Sequence, residues 1–281
     1  MEKTFETKCN DFKSFLKDKK FRIDDDTVNV TMAVVEQGGS VLAVGPTGSG
    51  KTDYFCLLSE FLKGEYYYQS LNGSVHIHDL TQERILAKNG TFEERDMILA
   101  QWLRSAKKKV SVLQFDEVNA AKPETLLSLH PIMDIKGELF LPYTNERLKV
   151  NKNAICVMTC NEGDEYAGIN AMNMAFLNRP WVTIHFKYLD NNEMTTMLNE
   201  KTGVALGICS AVVRTWSKYM GSKDPEQPIV SPRVLLRWLE LSKTIGLKTA
   251  GKFTFAGLIV ENYDELVKIV EGDFFVNLPN M

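Results

Sequence analysis

Ser40-Val41-Leu42-Ala43-Val44-Gly45-Pro46-Thr47-Gly48-Ser49-Gly50-Lys51-Thr52 is the stretch that decides the fold of this chain. Its first five residues form a short apolar, β-branched run. The last eight match G-x-x-x-x-G-K-T, the Walker A pattern. Asp53-Tyr54-Phe55-Cys56-Leu57-Leu58-Ser59-Glu60-Phe61-Leu62 then follows with helical periodicity. A strand, a glycine-rich turn and a helix in that order make a phosphate-binding loop. The glycines let main-chain N–H groups curl around phosphate oxygens, Lys51 neutralises the β- and γ-phosphates, and the Thr52 hydroxyl is a magnesium ligand. The new helix also turns its positive end toward the anion. Gly45, Pro46, Thr47, Gly48, Ser49, Gly50, Lys51, Thr52 and Asp53 are thus expected to bind a nucleoside triphosphate. Such a loop reads phosphates and leaves the base open.

Outward from this loop, between about residues 40 and 186, apolar strands alternate with helical stretches, the pattern of a parallel sheet covered by helices. The expected strands are Val41–Val44, Val75–His78, Val110–Phe115, Ala154–Thr159 and Trp181–Phe186. A helix after the second strand is expected to open on the capping box Thr91-Phe92-Glu93-Glu94 and run through Met97, Ile98, Trp102 and Leu103. Asp79 to Gly90, with its Asn89-Gly90 turn signal, reads as a small hairpin. Phe5, Cys9, Phe12 and Leu16 form a helical stripe near the start. Beyond Asp190 helical segments dominate, broken by the turn-rich stretch from Gly221 to Pro228. The expected division is 1–190, a nucleotide-binding core with a short N-terminal helix, and 191–281, a helical domain.

The 281 residues are 44% hydrophobic and 25% charged, as in an ordinary globular protein. A net charge of −3 gives no global basic field that calls for nucleic acid. The local run Lys107-Lys108-Lys109 reads as a solvated helix end. No run approaches the roughly 18 apolar residues of a membrane span. The opening residues hold no signal-like apolar core, so a cytoplasmic location is expected. The five cysteines form no metal-type cluster, and Cys156 and Cys160 fall on an apolar strand as small hydrophobes. His76 and His78 alternate on an expected strand. With His130 and His185 they supply no clear zinc set.

Val110-Ser111-Val112-Leu113-Gln114-Phe115-Asp116-Glu117 is an apolar strand ending in two adjacent carboxylates, and at the carboxyl edge of a parallel sheet both can serve the phosphate site. Asp116 suits the magnesium side. Glu117 is placed to polarise a water for attack on the γ-phosphate, which points to hydrolysis. The next strand ends Val157-Met158-Thr159-Cys160-Asn161, and an amide at that tip falls between the loop and the acid pair. Two arginines remain. Arg179 lies in Leu177-Asn178-Arg179-Pro180, and Arg233 in Ser231-Pro232-Arg233, where the proline suits a first helical turn.

This constellation resembles an AAA+ ATPase, and more narrowly the MoxR and dynein-related group, with its CbbQ/NorQ activators, gas-vesicle ATPase and McrB-like GTPases. The resemblance covers about residues 36–247. It rests on Gly45–Thr52, Asp116-Glu117-Val118-Asn119, the Asn161 strand end, Leu177-Asn178-Arg179 and Ser231-Pro232-Arg233-Val234-Leu235-Leu236-Arg237. Asp79–Thr91 matches the group's hairpin inserted into helix 2. Gly137–Pro142 with Glu146–Val150 matches the hairpin before the sensor strand. The resemblance implies a P-loop NTPase fold, a parallel sheet sandwiched by helices and followed by a small all-α lid. It makes Lys51 and Thr52 the phosphate and magnesium residues, Asp116 the metal-side Walker B acid and Glu117 the catalytic base. Asn161 becomes sensor 1, Arg179 the arginine finger reaching a neighbouring subunit, and Arg233 sensor 2. ATP and Mg2+ are the implied ligands, and a homo-oligomeric ring, usually a hexamer, the implied assembly. The sequence departs from the group where Ala120-Ala121 follows Asn119, where Asn178 precedes Arg179, and where Pro180-Trp181 replaces a more usual phenylalanine.

The resulting expectation is Mg-dependent ATP hydrolysis by an AAA+ ring that remodels or activates a protein partner. With the Walker strand starting by residue 41, specificity would come from the inserted hairpins, the short N-terminal helix or an adaptor, in such families frequently of the von Willebrand factor A type. The alternative is an AAA+ motor or loader acting on nucleic acid, of the kind a virus or mobile element encodes. It would use Lys88, Lys107–Lys109, Arg147, Lys149 and Lys152. A nucleotide-gated assembly module that scarcely hydrolyses is a third reading, and the complete Asp116-Glu117 pair argues against it.

Overall fold

The computed structural model describes residues 3–88, 90–134, 137–161, 174–224, 226–260, Phe275 and Leu278. By backbone contacts the chain divides into two compact units. One comprises Met1–Lys19, Ile23–Gly45 and Gly50–Phe186; the other comprises Lys20–Arg22, Pro46–Ser49 and Lys187–Met281.

The first unit opens with helices α1 (Phe5–Asp18) and α2 (Asp25–Gln37) and then enters β1 (Gly39–Gly45). The expected stripe of α1 is buried at Cys9, Phe12 and Leu16, while Phe5 stays exposed. Next come α3 (Lys51–Phe61), β2 (Glu65–Ser70), α4 (Ile77–Thr81), β3 (Gln82–Leu86), β4 (Phe92–Asp96), α5 (Ile98–Ala106) and β5 (Ser111–Asp116). A 3-10 turn (Val118–Ala120), α6 (Pro123–Met133), β6 (Glu138–Leu141), β7 (Glu146–Lys149), β8 (Ala154–Asn161), α7 (Met174–Leu177) and β9 (Val182–His185) complete it. The main sheet is parallel, in the order β2-β5-β8-β1-β9. Alternation along its central strands sorts the core. Leu42, Leu113, Phe115, Cys156, Met158 and Cys160 pack with α5 and α6 in one cluster. Val41, Ala43, Val112, Ile155 and Val157 are buried as well, and α2 and α3 contact these strands. The strands therefore read as continuous apolar runs, as a sheet covered on both faces requires.

Two local expectations are corrected. Val75–His78 is not a strand, although its apolar and polar residues alternate. The Asp79 carboxylate accepts the His76 N–H (2.8 Å), a capping bond that starts α4 there, so His76 and His78 belong to a helix and its cap. The sheet's second strand in sequence is instead the tyrosine-rich Glu65–Ser70, whose aromatic residues suit a pleated surface. Thr91-Phe92-Glu93-Glu94 likewise starts no helix. Phe92–Asp96 pairs antiparallel with Gln82–Leu86, and Arg84 bonds Glu94 across the pair at 2.9 Å. The capping-box pattern is short enough to be satisfied by a strand once a partner strand lies beside it. The hairpin expected within Asp79–Thr91 does form, shifted to residues 82–96 between α4 and α5; Asn89 lies outside the described residues. The second hairpin, β6–β7, forms where expected.

In the second unit the regular elements among the described residues beyond 187 are helices: α8 (Asn191–Thr202), α9 (Leu206–Ser222), α10 (Pro232–Ile245), α11 (Leu247–Gly251), a π turn (Lys252–Ala256) and α12 (Gly257–Ile259). Asp190 caps α8 through a reciprocal box with Glu193. Its core sets a group of aromatic rings among aliphatic side chains. Trp238 stacks on Phe255 and Phe275, each 5.4 Å between ring centres, and the Trp216 indole donates to the Val230 carbonyl (2.7 Å). These rings bury a large apolar area while both indole N–H groups stay satisfied, Trp238 donating to the Leu247 carbonyl (2.8 Å). Among the described residues no helix is long and apolar enough to cross a membrane.

Candidate functional site

The carboxyl ends of β5, β8 and β1 lie side by side, because β8 runs between the other two in parallel register. That placement brings together residues separated by more than a hundred positions. β1 ends at Gly45, directly opposite Asn161 at the end of β8. The approach at Gly45 is close: a Cβ there would sit 2.4 Å from the Phe186 carbonyl oxygen, so only glycine fits. The chain then turns through Pro46, Thr47, Gly48 and Ser49. Within the second unit, Tyr188 Oη donates to the Thr47 carbonyl at 2.8 Å. Gly50, at φ 92°, is left-handed and precedes α3. No side chain caps that helix start, so its first N–H groups present the arrangement that binds anions.

Lys51 is 6% exposed, and its ammonium donates to the Gly45 carbonyl (2.6 Å) and to Asn161 Oδ1 (3.1 Å). A cation this buried is costly without polar company, which these oxygen acceptors supply. Asn161 turns its other end outward, Nδ2 donating to Glu117 Oε1 (3.3 Å). Lys51 at the start of α3, Asn161 at the end of β8 and Glu117 just after β5 thus form one hydrogen-bonded file. Glu117 is exposed and left-handed, at φ 57° and ψ 47°, an uncommon conformation for a side chain of this size. Asp116, half-buried, accepts from two hydroxyls. Thr159 Oγ1 donates to Oδ1 and Tyr68 Oη donates to Oδ2, the latter at 2.8 Å. The Thr159 hydroxyl also accepts the Glu117 N–H (3.2 Å).

Thr52 is half-buried and Asp53 exposed in the first turn of α3. Arg179 lies beyond α7 and is bonded to Asp134, with Nη1 at 2.6 and 2.7 Å from the two carboxylate oxygens. Burial, helped by the Arg179 charge, holds the nearby His130 below the ordinary imidazole range. Arg233 is exposed in the first turn of α10, in the second unit. The structure therefore gathers Gly45, Lys51, Asp116, Glu117 and Asn161 at one edge of the first unit. Thr159 and Tyr68 are members of that edge that the sequence reading passed over. Thr159 had a signal, a hydroxyl inside an apolar strand two residues before Asn161 and so on the same face. Tyr68 had none beyond a run of three tyrosines.

The donors suit a phosphate-bound hard cation. Thr52 and Asp116 offer oxygen, the ligand type that magnesium takes, and Lys51 with the α3 start suits phosphate. Among the described residues no three His, Cys, Asp or Glu side chains converge as a metal cage. A metal here would complete its shell from phosphate and water, as magnesium usually does. The amide in the Walker B strand is half satisfied: Gln114 is fully buried, its Oε1 accepts from Tyr66 Oη (2.9 Å), and its Nε2 has no hydrogen-bond partner among the described residues.

The sequence pattern of the AAA domain (dynein-related subfamily) matches residues 40–180. An uncharacterized protein of Staphylococcus aureus (strain bovine RF122 / ET3-1) is 30% identical over 185 residues, covering 66% of this chain and 69% of that protein. Its counterpart in strain USA300 matches to the same extent. A crystal structure of a Cytophaga hutchinsonii protein, provisionally assigned as an ATPase, superposes with a TM-score of 0.55 at 14% identity. That likeness covers 99% of this chain and 97% of the other, and it speaks for the fold alone.

Proposed function

This chain belongs to the AAA domain family, dynein-related subfamily, and from that premise we propose that it is a Mg-dependent ATPase working as a homo-oligomeric ring, a hexamer, that remodels or activates a protein partner. The observation that carries the reading is the file of Lys51, Asn161 and Glu117 beside Asp116. The loop and the start of α3 hold the phosphates, and Lys51 neutralises their charge where it grows during transfer. Thr52 and Asp116 would hold magnesium, which would supply positive charge to offset that of the phosphates. Glu117 takes the proton of a water whose oxygen bonds to the γ-phosphorus as the bond to the β,γ-bridging oxygen breaks. Asn161 orients that carboxylate through Nδ2 and stands between it and Lys51. The family resemblance makes Arg179 a finger in trans and Arg233 a lid residue. A finger contributes about 10³–10⁵ in rate, so hydrolysis would depend on assembly.

A protein partner, directly or through an adaptor of the von Willebrand factor A type, is favoured over nucleic acid by the charge pairing. Of the cations a nucleic-acid motor would use, Lys107, Lys109 and Arg147 already lie on Glu146, Glu65 and Glu138. Steady-state phosphate release from wild type and Glu117→Gln tests the site. The expected variant is nearly inactive yet still binds ATP and oligomerises with it, while equal rates refute the assignment. Proteins captured by that trapped variant identify the client, and ATPase stimulation by DNA would overturn the choice of partner.

A further inference from the structure

We propose that Thr159, with Tyr68, is a positioning residue that locks the metal-side carboxylate and the peptide of the base into one register. This rests on the reading of Asp116 as the magnesium-side acid. The Thr159 side chain is on a residue 1% exposed, so its hydroxyl meets no competition from bulk water. It uses its proton toward Asp116 Oδ1 and a lone pair for the Glu117 N–H (3.2 Å). One hydroxyl therefore touches two consecutive residues that must do different work. Asp116 is held from the other side by Tyr68 Oη on Oδ2 (2.8 Å). Each oxygen of Asp116 thus receives one hydroxyl, which fixes the plane of the carboxylate and leaves its remaining lone pairs for water or metal.

The sheet makes this arrangement available. Tyr68 stands in register with Gln114 on the neighbouring strand, and its ring reaches diagonally to the residue two positions on. Tyr66 repeats the reach one step earlier, from its register partner Val112 to Gln114. On the other side, Thr159 and Asn161 share one face of β8, so a single strand supplies both the residue that fixes Asp116 and the one that touches Glu117 Oε1. Glu117 turns left-handed immediately after Asp116. Its N–H, tied to Thr159, keeps that turn from relaxing to a regular strand end, which would swing the carboxylate away from Asn161. Supporting hydrogen bonds of this sort commonly set metal affinity by about 10–100-fold.

The test compares Thr159→Val, which keeps the shape and drops the hydroxyl, with Thr159→Ser, which keeps the hydroxyl, and with Tyr68→Phe. On the full chain, the affinity of a fluorescent ATP analogue is measured in excess Mg2+ and again in EDTA. Their ratio is the gain due to the metal. We expect Thr159→Val to lose about tenfold or more of that gain with the EDTA affinity unchanged, Thr159→Ser to retain it, and Tyr68→Phe to lose a smaller part. Tyr68 is 46% exposed on an edge strand, so its variant reports even if Thr159→Val does not fold. A full metal gain in Thr159→Val, or in Tyr68→Phe where only that variant folds, overturns the positioning role while leaving the reading of Asp116 intact. Equal losses in Thr159→Val and Thr159→Ser overturn it too. If wild type itself shows no metal gain, the reading of Asp116 falls and the proposal with it.

Discussion

Gly45→Ala is a one-methyl change at the hinge between β1 and the phosphate loop, and its cost can be worked from the backbone. The new Cβ would lie 2.4 Å from the Phe186 oxygen, 3.0 Å from its Cβ and 3.1 Å from its carbonyl carbon. An ordinary carbon–oxygen contact is roughly 1 Å longer than the first of these. The obstacle cannot rotate away. Phe186 donates its N–H to the Val44 carbonyl (2.7 Å), and its ring packs 5.7 Å from that of Tyr54 and 6.2 Å from that of Phe55. Overpacking costs about 1–3 kcal/mol, and a main-chain collision belongs to the upper part of that range. We therefore expect a loss of about 2–3 kcal/mol, which lowers the melting temperature of a unit this size by about 4–12 °C. Displacing the Gly45 carbonyl also disturbs an acceptor of the Lys51 ammonium, so ATP affinity should fall as well. Urea titration and thermal melting of the full chain measure the first effect, and equilibrium binding the second. Gly73→Ala is the control, since a Cβ there meets no atom within 4 Å and should change stability by no more than about 0.5 kcal/mol. A Gly45→Ala protein as stable as that control would refute the packing argument.

Arg179→Ala should abolish steady-state phosphate release while leaving nucleotide affinity close to wild type; surviving activity would place the finger elsewhere. The Asp96 carboxyl is held below its usual value of 3.8: burial would raise it, but hydrogen bonds from Arg104 and Gln82 prevail. Its contribution to stability is therefore full above about pH 4 and lost as pH falls through the lower folded value. Urea midpoints from pH 6 down to pH 3 should drop less steeply for Asp96→Asn than for wild type. Burial pushes the Cys156 thiol up to about 12, whereas Cys56 lies exposed on α3. Alkylation of the native protein at pH 8, read by mass spectrometry, should label Cys56 and spare Cys156 until unfolding.

Much of the fold was legible because its signals are local. The apolar runs of β1, β5 and β8 lie on strands buried on both faces, so each announces itself without reference to its neighbours. The edge strand β2 did not. Its tyrosines are partly exposed, and their fitness for a strand depends on β5 lying beside them. Phe92–Asp96 shows the converse: four residues satisfied a helix-capping pattern, and pairing with Gln82–Leu86 outweighed it. At the site, Lys51, Asp116, Glu117 and Asn161 were each visible as a motif or a strand tip. Thr159 and Tyr68 were not, since what they do depends on which strand lies next to which.

Chemistry that depends on residue type and short spacing was already present in the sequence of this protein. A glycine-rich turn with a lysine between a strand and a helix is a phosphate-binding pattern, and an apolar strand ending in two acids brings them to the carboxyl edge of the sheet. The tertiary structure decided the strand order β2-β5-β8-β1-β9. That order places Asn161 between Lys51 and Glu117 and sets Asp116 between the hydroxyls of Tyr68 and Thr159. Hydrogen bonds reach only about 3 Å. Residues this far apart in the chain acquire such partners when the sheet brings their strand ends together.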